Sequence, residues 1–294
     1  MPELLTEIST ARRAGSTGEI PFFFAAGRPL YGAFHPTDGS HSQNPVVVFC
    51  HAVGTEHMLT QRIEVLGARA VATVGFPAFR YNARAHGDSA GNPRDLTFED
   101  LVTDACAAAD MARELSGASR VIWVGLRFGC LIAAEAIRRR GDASALALWE
   151  PLHTGMDYFR SLVRATLFTQ IAKGKRPGAT ADDMLKQLER DGELAVVGAF
   201  VYRAFYQSAR DADLARSLQD WRGDTLIAQV QSRRQFSANN ERLRSTLEQR
   251  EGGGKVAAVL VTQEPAWSML PIARPQWTSD ALLTATKEWL HGLE

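Results

Sequence analysis

The sequence predicts an α/β protein built on a mostly parallel, doubly wound sheet, and three observations predict it. From residue 45 to residue 149, short apolar runs rich in β-branched residues alternate with longer helical runs, the pattern of consecutive strand–helix units. One such run, 121–124, passes through Gly125-Leu126-Arg127-Phe128-Gly129 directly into an Ala-rich helical stretch, 130–139. Glycines on both sides of that turn suit a place where backbone packs on backbone and a Cβ would collide. From His153 to about Trp221 the alternation lapses, and strand-like runs return at 225–230 and 256–261.

Taken in order, residues 20–26 and 29–35 are strand-like runs around Gly27 and read as a hairpin. Residues 45–50 are apolar on both faces, as in a central strand of a covered sheet. They end at His51-Ala52-Val53-Gly54, and a helix follows to about Ala72. Another strand, 76–81, runs into Asn82-Ala83-Arg84-Ala85-His86-Gly87-Asp88-Ser89-Ala90-Gly91. An amphipathic helix at 100–115 precedes the strand that feeds the Gly-flanked turn. The next strand, 145–149, ends at Glu150-Pro151-Leu152-His153. The following stretch reads as a run of helices, with Phe200, Tyr202, Phe205 and Tyr206 at helical spacing in its own core; the other reading is a pocket lining. A helix at 239–249, a glycine turn at 252–254 and a closing amphipathic helix at 277–290 complete the chain. The expected organisation is a core of residues 1–152 and 222–294 carrying a helical cap insertion, 153–221.

Composition narrows the function. With 33 basic and 33 acidic residues there is no electrostatic footprint for nucleic acid, so no nucleic-acid partner is expected. The three cysteines, Cys50, Cys106 and Cys130, are far apart and have no metal-ligand spacing. No metal and no cofactor are expected. Residues 1–7 lack the apolar core of a signal peptide, and no apolar run is long enough to span a bilayer, so the expected location is the cytoplasm.

Three motifs then occur in a telling order. His51-Ala52-Val53-Gly54 follows one strand, Arg84-Ala85-His86-Gly87-Asp88-Ser89-Ala90-Gly91 follows the next, and Gly125-Leu126-Arg127-Phe128-Gly129 has the form of a nucleophile elbow, which lifts one side chain above a parallel sheet. Together they resemble the oxyanion turn, the Arg-Gly-His-Gly-x-Ser-x-Gly turn and the elbow of the α/β-hydrolase superfamily. Within it the chain resembles the hydrolase-like proteins associated with exosortase A systems, the second of the two types. Gly125-Leu126-Arg127-Phe128-Gly129 is similar to their Gly-Leu-Arg-Leu-Gly elbow, Pro265-Ala266-Trp267 to their Pro-x-Trp segment, and Gly192-Glu193 with Gly198 to their Gly-Glu-x-x-x-x-Gly pattern. The resemblance departs at His51-Ala52 and at Glu150. It implies a mostly parallel eight-stranded sheet with a helical cap, and a locus handling surface polysaccharide and protein sorting, with ligases and acyl carrier proteins nearby.

The catalytic triad of that fold is missing from the sequence. The triad order is nucleophile, acid, His, with the His after the last strand. Arg127 stands at the nucleophile position, and a guanidinium with a pKa above about 12 is no nucleophile. Gln231-Ser232-Arg233-Arg234 stand where the acid belongs, and Thr262 to Met269 contain no His. Cys130 reads as a core thiol, since a catalytic Cys needs a base. His86 and Ser89 read as turn residues. The residues expected to carry any chemistry are Arg127, Glu150 and His51. Glu150 is read as the buried ion-pair partner of Arg127 or as a general base tuned by it, and His51 as ordering the oxyanion turn or activating a water. Ala52, Val53, Phe128, His153 and Trp267 are the expected ligand contacts. The leading expectation is a small acyl or anionic ligand, carrier-bound in one version, handled without serine chemistry, with Arg127 able to clamp a carboxylate or phosphate. The alternatives are a catalytically inactive scaffold for partners of a polysaccharide or sorting locus, and an esterase- or thioesterase-type hydrolase with displaced catalytic residues.

Overall fold

The computed structural model describes residues 18–37, 44–174, 176, 178–265, 267 and 278–293. An eight-stranded sheet runs in the order β1-β2-β4-β3-β5-β6-β9-β10. Its strands are β1 (Ile20–Ala25), β2 (Pro29–His35), β3 (Val46–Cys50), β4 (Ala78–Tyr81), β5 (Val121–Leu126), β6 (Ala143–Trp149), β9 (Asp224–Gln231) and β10 (Val256–Thr262). β2 is antiparallel to β1 and β4, and every neighbouring pair from β4 to β10 is parallel. The mostly parallel eight-stranded α/β sheet is therefore the one the sequence predicts.

Helices cover both faces, which is why β3 and β5 are buried at every position. On one face α1 (Thr55–Thr73) and α9 (Asp280–His291) close a core with Phe49, Trp149 and Leu282. Trp149 Nε1 donates to Thr286 Oγ1 at 3.1 Å and fixes α9 to β6. On the other face α2 (Phe98–Ser116) and α3 (Gly129–Arg140) pack through alanines such as Ala105, Ala108 and Ala133. Thr97 caps α2, accepting from the Asp100 amide while Asp100 accepts from Thr97, a reciprocal pair that starts the helix two residues ahead of the sequence expectation.

Between β6 and β9 the chain forms α4 (Gly155–Ala172), α5 (Ala181–Asp191), β7 (Glu193–Val196), β8 (Ala199–Tyr202), α6 (Arg203–Ala209) and α7 (Leu214–Ser217). The all-helical expectation for this stretch is corrected by the β7–β8 hairpin. Val197 and Gly198 take φ of 46° and 82°, the two positive values that a two-residue hairpin turn needs. Phe200 and Tyr202 consequently lie on a strand, while Phe205 and Tyr206 are buried on α6. The two ends of this excursion meet. Thr154 bridges Asp213, Gly155 N–H donates to Ala212 O at 2.9 Å, and Leu214 N–H donates to His153 O at 2.9 Å. Gly155 is required there, since a Cβ would lie 1.7 Å from Ala209 O.

Candidate functional site

β5 delivers the chain to the elbow and α3 takes it away, so the turn has almost no room. A Cβ on Gly129 would lie 2.0 Å from Cys50 O, and one on Gly125 2.6 Å from Cys130 Cα. Between them Arg127 sits at φ 56°, a left-handed conformation disfavoured for a residue with a side chain and held here by its surroundings. Its amide donates to Trp149 O at 2.9 Å.

The Arg127 side chain is only 8% exposed. Its Nε donates to Glu56 Oε2 at 3.2 Å and its Nη2 to Glu56 Oε1 at 2.8 Å, a two-pronged pair from the first turn of α1. The Trp267 ring lies 5.3 Å from the guanidinium carbon. Burial works against the charge, but the Glu56 carboxylate outweighs it and the Arg127 pKa rises. This corrects the expected Arg127–Glu150 pair. Glu150 is itself left-handed, at φ 48°, and its Oε2 accepts from Val230 N–H at 2.6 Å while its own amide donates to Ala228 O. Fastened to β9, it leaves the guanidinium to α1. Burial pushes the Glu150 carboxyl up to about 7, with Arg127 and the Val230 amide pulling it down.

The oxyanion-type turn is also committed internally. Glu64, buried in α1, takes a hydrogen bond from the Ala52 backbone, and Gly54 N–H donates to His86 Nε2 at 3.2 Å. Ala52 is fully buried, Phe128 likewise, and Val53 reaches the cavity described below. His51 is 1% exposed, donates from Nδ1 to Ala52 O at 2.5 Å and accepts at Nε2 from Ala83 N–H at 2.9 Å, so both ring nitrogens hold backbone. Burial, then His57 and His86, keep it well below its ordinary pKa. His86 spans Arg84 O and the Gly54 amide, Ser89 Oγ donates to Asn82 O, and Arg84 grips Asp104 at 2.6 Å, so the 82–91 turn is braced from within. Cys130 Sγ lies 3.1 Å from Gly125 O, and burial drives its pKa far up. His153 does not join Arg127: its Nε2 donates to Asn240 Oδ1 at 2.8 Å in a separate depression with Asp157, Asp213 and Arg242. His153, expected as a ligand contact, lies away from the elbow because it turns toward the helix after β9, α8 (Ala238–Glu248).

Beside the elbow lies a cavity of about 300 Å³, between the 85–93 turn, the start of α1, and α4, β8 and α6. Tyr158, Leu162, Phe200 and Phe205 form its apolar wall, and Arg127 does not line it. Tyr158 separates the two: its hydroxyl donates to Val53 O at 3.2 Å, its ring packs 5.1 Å from Phe128, and its phenol feels the charges of Glu56 and Arg127. Glu56, His57 and Tyr158 are site residues that no motif in the sequence singles out. An acidic residue in a first helical turn is ordinary pairing with the helix dipole, so nothing marked Glu56. His57, one residue on, shows only as a third histidine near two motif histidines. Among the described residues no group of His, Cys, Asp and Glu is arranged to hold a metal ion, and no helix is long and apolar enough to cross a membrane.

This arrangement of sheet, elbow and turns is the α/β-hydrolase fold. No protein-family model matches the sequence, and no curated protein matches it. Solved structures do. Ferulic acid-bound Est1E from Butyrivibrio proteoclasticus is similar at 15% identity, over 92% of this chain and 96% of that one, with a TM-score of 0.60. The Pyrococcus furiosus esterase Pf2001 is similar at 10% identity, over 96% and 92%, with a TM-score of 0.61. The alpha/beta hydrolase GrgF from Penicillium sp. sh18 is similar at 15% identity, over 94% and 98%, with a TM-score of 0.60. At such identities the likeness is one of fold.

Proposed function

We propose that this protein binds a small acyl or similarly apolar molecule in the cavity beside the elbow and carries out no serine-type hydrolysis. Residues 153–221 act as a cap over that ligand. The observation that carries the reading is the pairing of Arg127 with Glu56: the position that holds the nucleophile in a hydrolase holds a buried, neutralised charge, and the apolar cavity lies to one side of it. The same pairing argues against Arg127 as a clamp for an anionic ligand, since the Nε–Nη2 edge of the guanidinium is filled and its charge is neutralised by Glu56. The resemblance to exosortase-associated proteins gives the biological setting of the proposal, an acyl group delivered on a carrier.

The expected result is no fluorophosphonate labelling and no turnover of p-nitrophenyl octanoate above background, together with saturable binding of n-butylbenzene. Ala199→Trp, which fills the cavity from β8, abolishes that binding. Turnover that survives purification to homogeneity and disappears in Cys130→Ala or His51→Ala would restore the displaced-hydrolase reading. The sealed elbow also suits a second reading, an inactive scaffold that recruits partners. On that reading n-butylbenzene does not bind, or binds equally well after Ala199→Trp.

A further inference from the structure

Three histidine rings cluster beneath the cavity. His51 lies 4.3 Å from His57 and 5.0 Å from His86, centroid to centroid, and His57 lies 5.7 Å from His86. Two of them are spent on backbone, His51 on Ala52 and Ala83, His86 on Arg84 and Gly54. His57 is different. It is 5% exposed and lines the cavity, and neither ring nitrogen has a hydrogen-bond partner among the described residues; Nδ1 is fully enclosed, which leaves Nε2 as the atom able to meet a ligand. The polar atoms of a nearly buried ring are almost always satisfied, and an unpaired Nε2 at the wall of an apolar cavity is the mark of a missing partner.

The rest of the wall says what that partner is. No Asp, Glu, Lys or Arg lines the cavity among the described residues, so a charged ligand would find no counterion there. Tyr158 gives its hydroxyl proton to Val53, and Thr55 and Tyr202 are only half-buried and reach water. Burial, with His86 beside it, lowers the His57 pKa to about 3, so the ring is neutral at neutral pH and offers one donor and one acceptor. We propose that the cavity selects an uncharged, largely apolar molecule bearing one carbonyl or hydroxyl group, and that His57 holds that group by a hydrogen bond. The inference rests on the cavity being a ligand site, and it narrows the ligand from acyl-or-anionic to neutral.

A matched trio of probes tests it: n-butylbenzene, benzylacetone and phenylbutyrate share a phenyl ring and a four-carbon chain but carry no polar group, a carbonyl and a carboxylate. The expected result is benzylacetone binding about tenfold tighter than n-butylbenzene, the value of one buried hydrogen bond. Phenylbutyrate is expected to be the weakest at neutral pH. His57→Phe brings the ratio of the two neutral probes to about one, whatever it does to their common affinity, and His57→Gln, which keeps a donor and an acceptor, preserves the preference. Nitrogen NMR of the wild-type imidazoles supplies a readout that needs no variant, since benzylacetone shifts the His57 resonances and n-butylbenzene does not. A ratio near one in the wild type, tightest binding by phenylbutyrate, or a preference unchanged in His57→Phe overturns the His57 assignment alone, provided Ala199→Trp still blocks n-butylbenzene. Loss of that block overturns the cavity reading and this inference with it.

Discussion

Glu56→Gln lowers the free energy of unfolding by about 3–5 kcal/mol, because it strips the carboxylate from a buried guanidinium and leaves the charge uncompensated. Arg127 is 8% exposed and donates from Nε and Nη2 to Glu56, so no water shell stands ready to replace the pair. Replacing both partners by apolar residues of similar length, Arg127→Met with Glu56→Leu, recovers most of that loss, since a buried ion pair owes much of its apparent worth to the penalty of breaking it. Urea unfolding of the two singles and the double decides the matter through their coupling energy. A Glu56→Gln protein within about 0.5 kcal/mol of wild type would mean the guanidinium finds solvent or another partner. In Glu56→Gln the Glu150 carboxyl ionises at lower pH than in the wild type, because a neighbouring negative charge has gone and Arg127 remains. Arg127→Ser does not create a hydrolase: the new hydroxyl has no His on the loop after β10 to take its proton, His291 standing at the far end of α9, and it leaves Glu56 buried without its cation.

The second expected result is a stability maximum near pH 6.5. Four histidines are buried neutral, His51 far below its ordinary value, His57 at about 3, His35 at about 4, and His86 also lowered. As pH falls from 6.5 their unfolded forms take up protons that the folded forms refuse, so stability drops. Glu64 and Glu150 act in the opposite sense, because burial raises them to about 8 and about 7 from an ordinary 4.5. Folded, they keep a proton that the unfolded chain releases, so stability falls as pH rises toward those values and is favoured on the acid side. Between pH 4.5 and 6.5 the four histidines outweigh the two carboxyls, and stability declines toward acid by about 1.4 kcal/mol per pH unit for each net proton. Above 6.5 the histidines no longer contribute and the two carboxyls give a shallower decline up to about pH 8. Urea midpoints at pH 5, 6.5 and 8 show this as a peak; a profile flat from 5 to 8 would sink the account. His57→Phe reduces the acid-side slope by close to one proton.

The sheet was legible because its signals are local and redundant. Apolar runs such as Val46–Cys50 have to be buried on both faces, and the glycines at 125 and 129 have no tolerable replacement at the distances found. The place of Arg127 on the turn between β5 and α3 was legible too, since it depends on which residues follow which strand. What the sequence hid is which carboxylate meets Arg127. Glu150 and Glu56 both end or begin an element near the elbow, and only the left-handed turn at Glu150, with its hold on the Val230 amide, assigns the pair to Glu56. The hairpin was hidden for another reason: Leu194, Val196 and Val201 alternate correctly, but each strand has four residues, too short for a periodicity to stand out from the neighbouring helices. His57 was invisible because an unpartnered nitrogen is a property of the neighbours and not of the residue.

The neck beneath the insertion has a consequence for how the chain tolerates change. The entropy of closing a loop grows only with the logarithm of its length, so once Thr154 and Asp213 are bridged, what lies between them adds little to the difficulty of docking β9 on β6. Lengthening, shortening or exchanging that stretch acts on the wall of the cavity and leaves the strand register untouched. The cavity wall and the sheet are thereby free to vary at different rates: one can be reshaped while the other, with its sealed arginine, stays as it is.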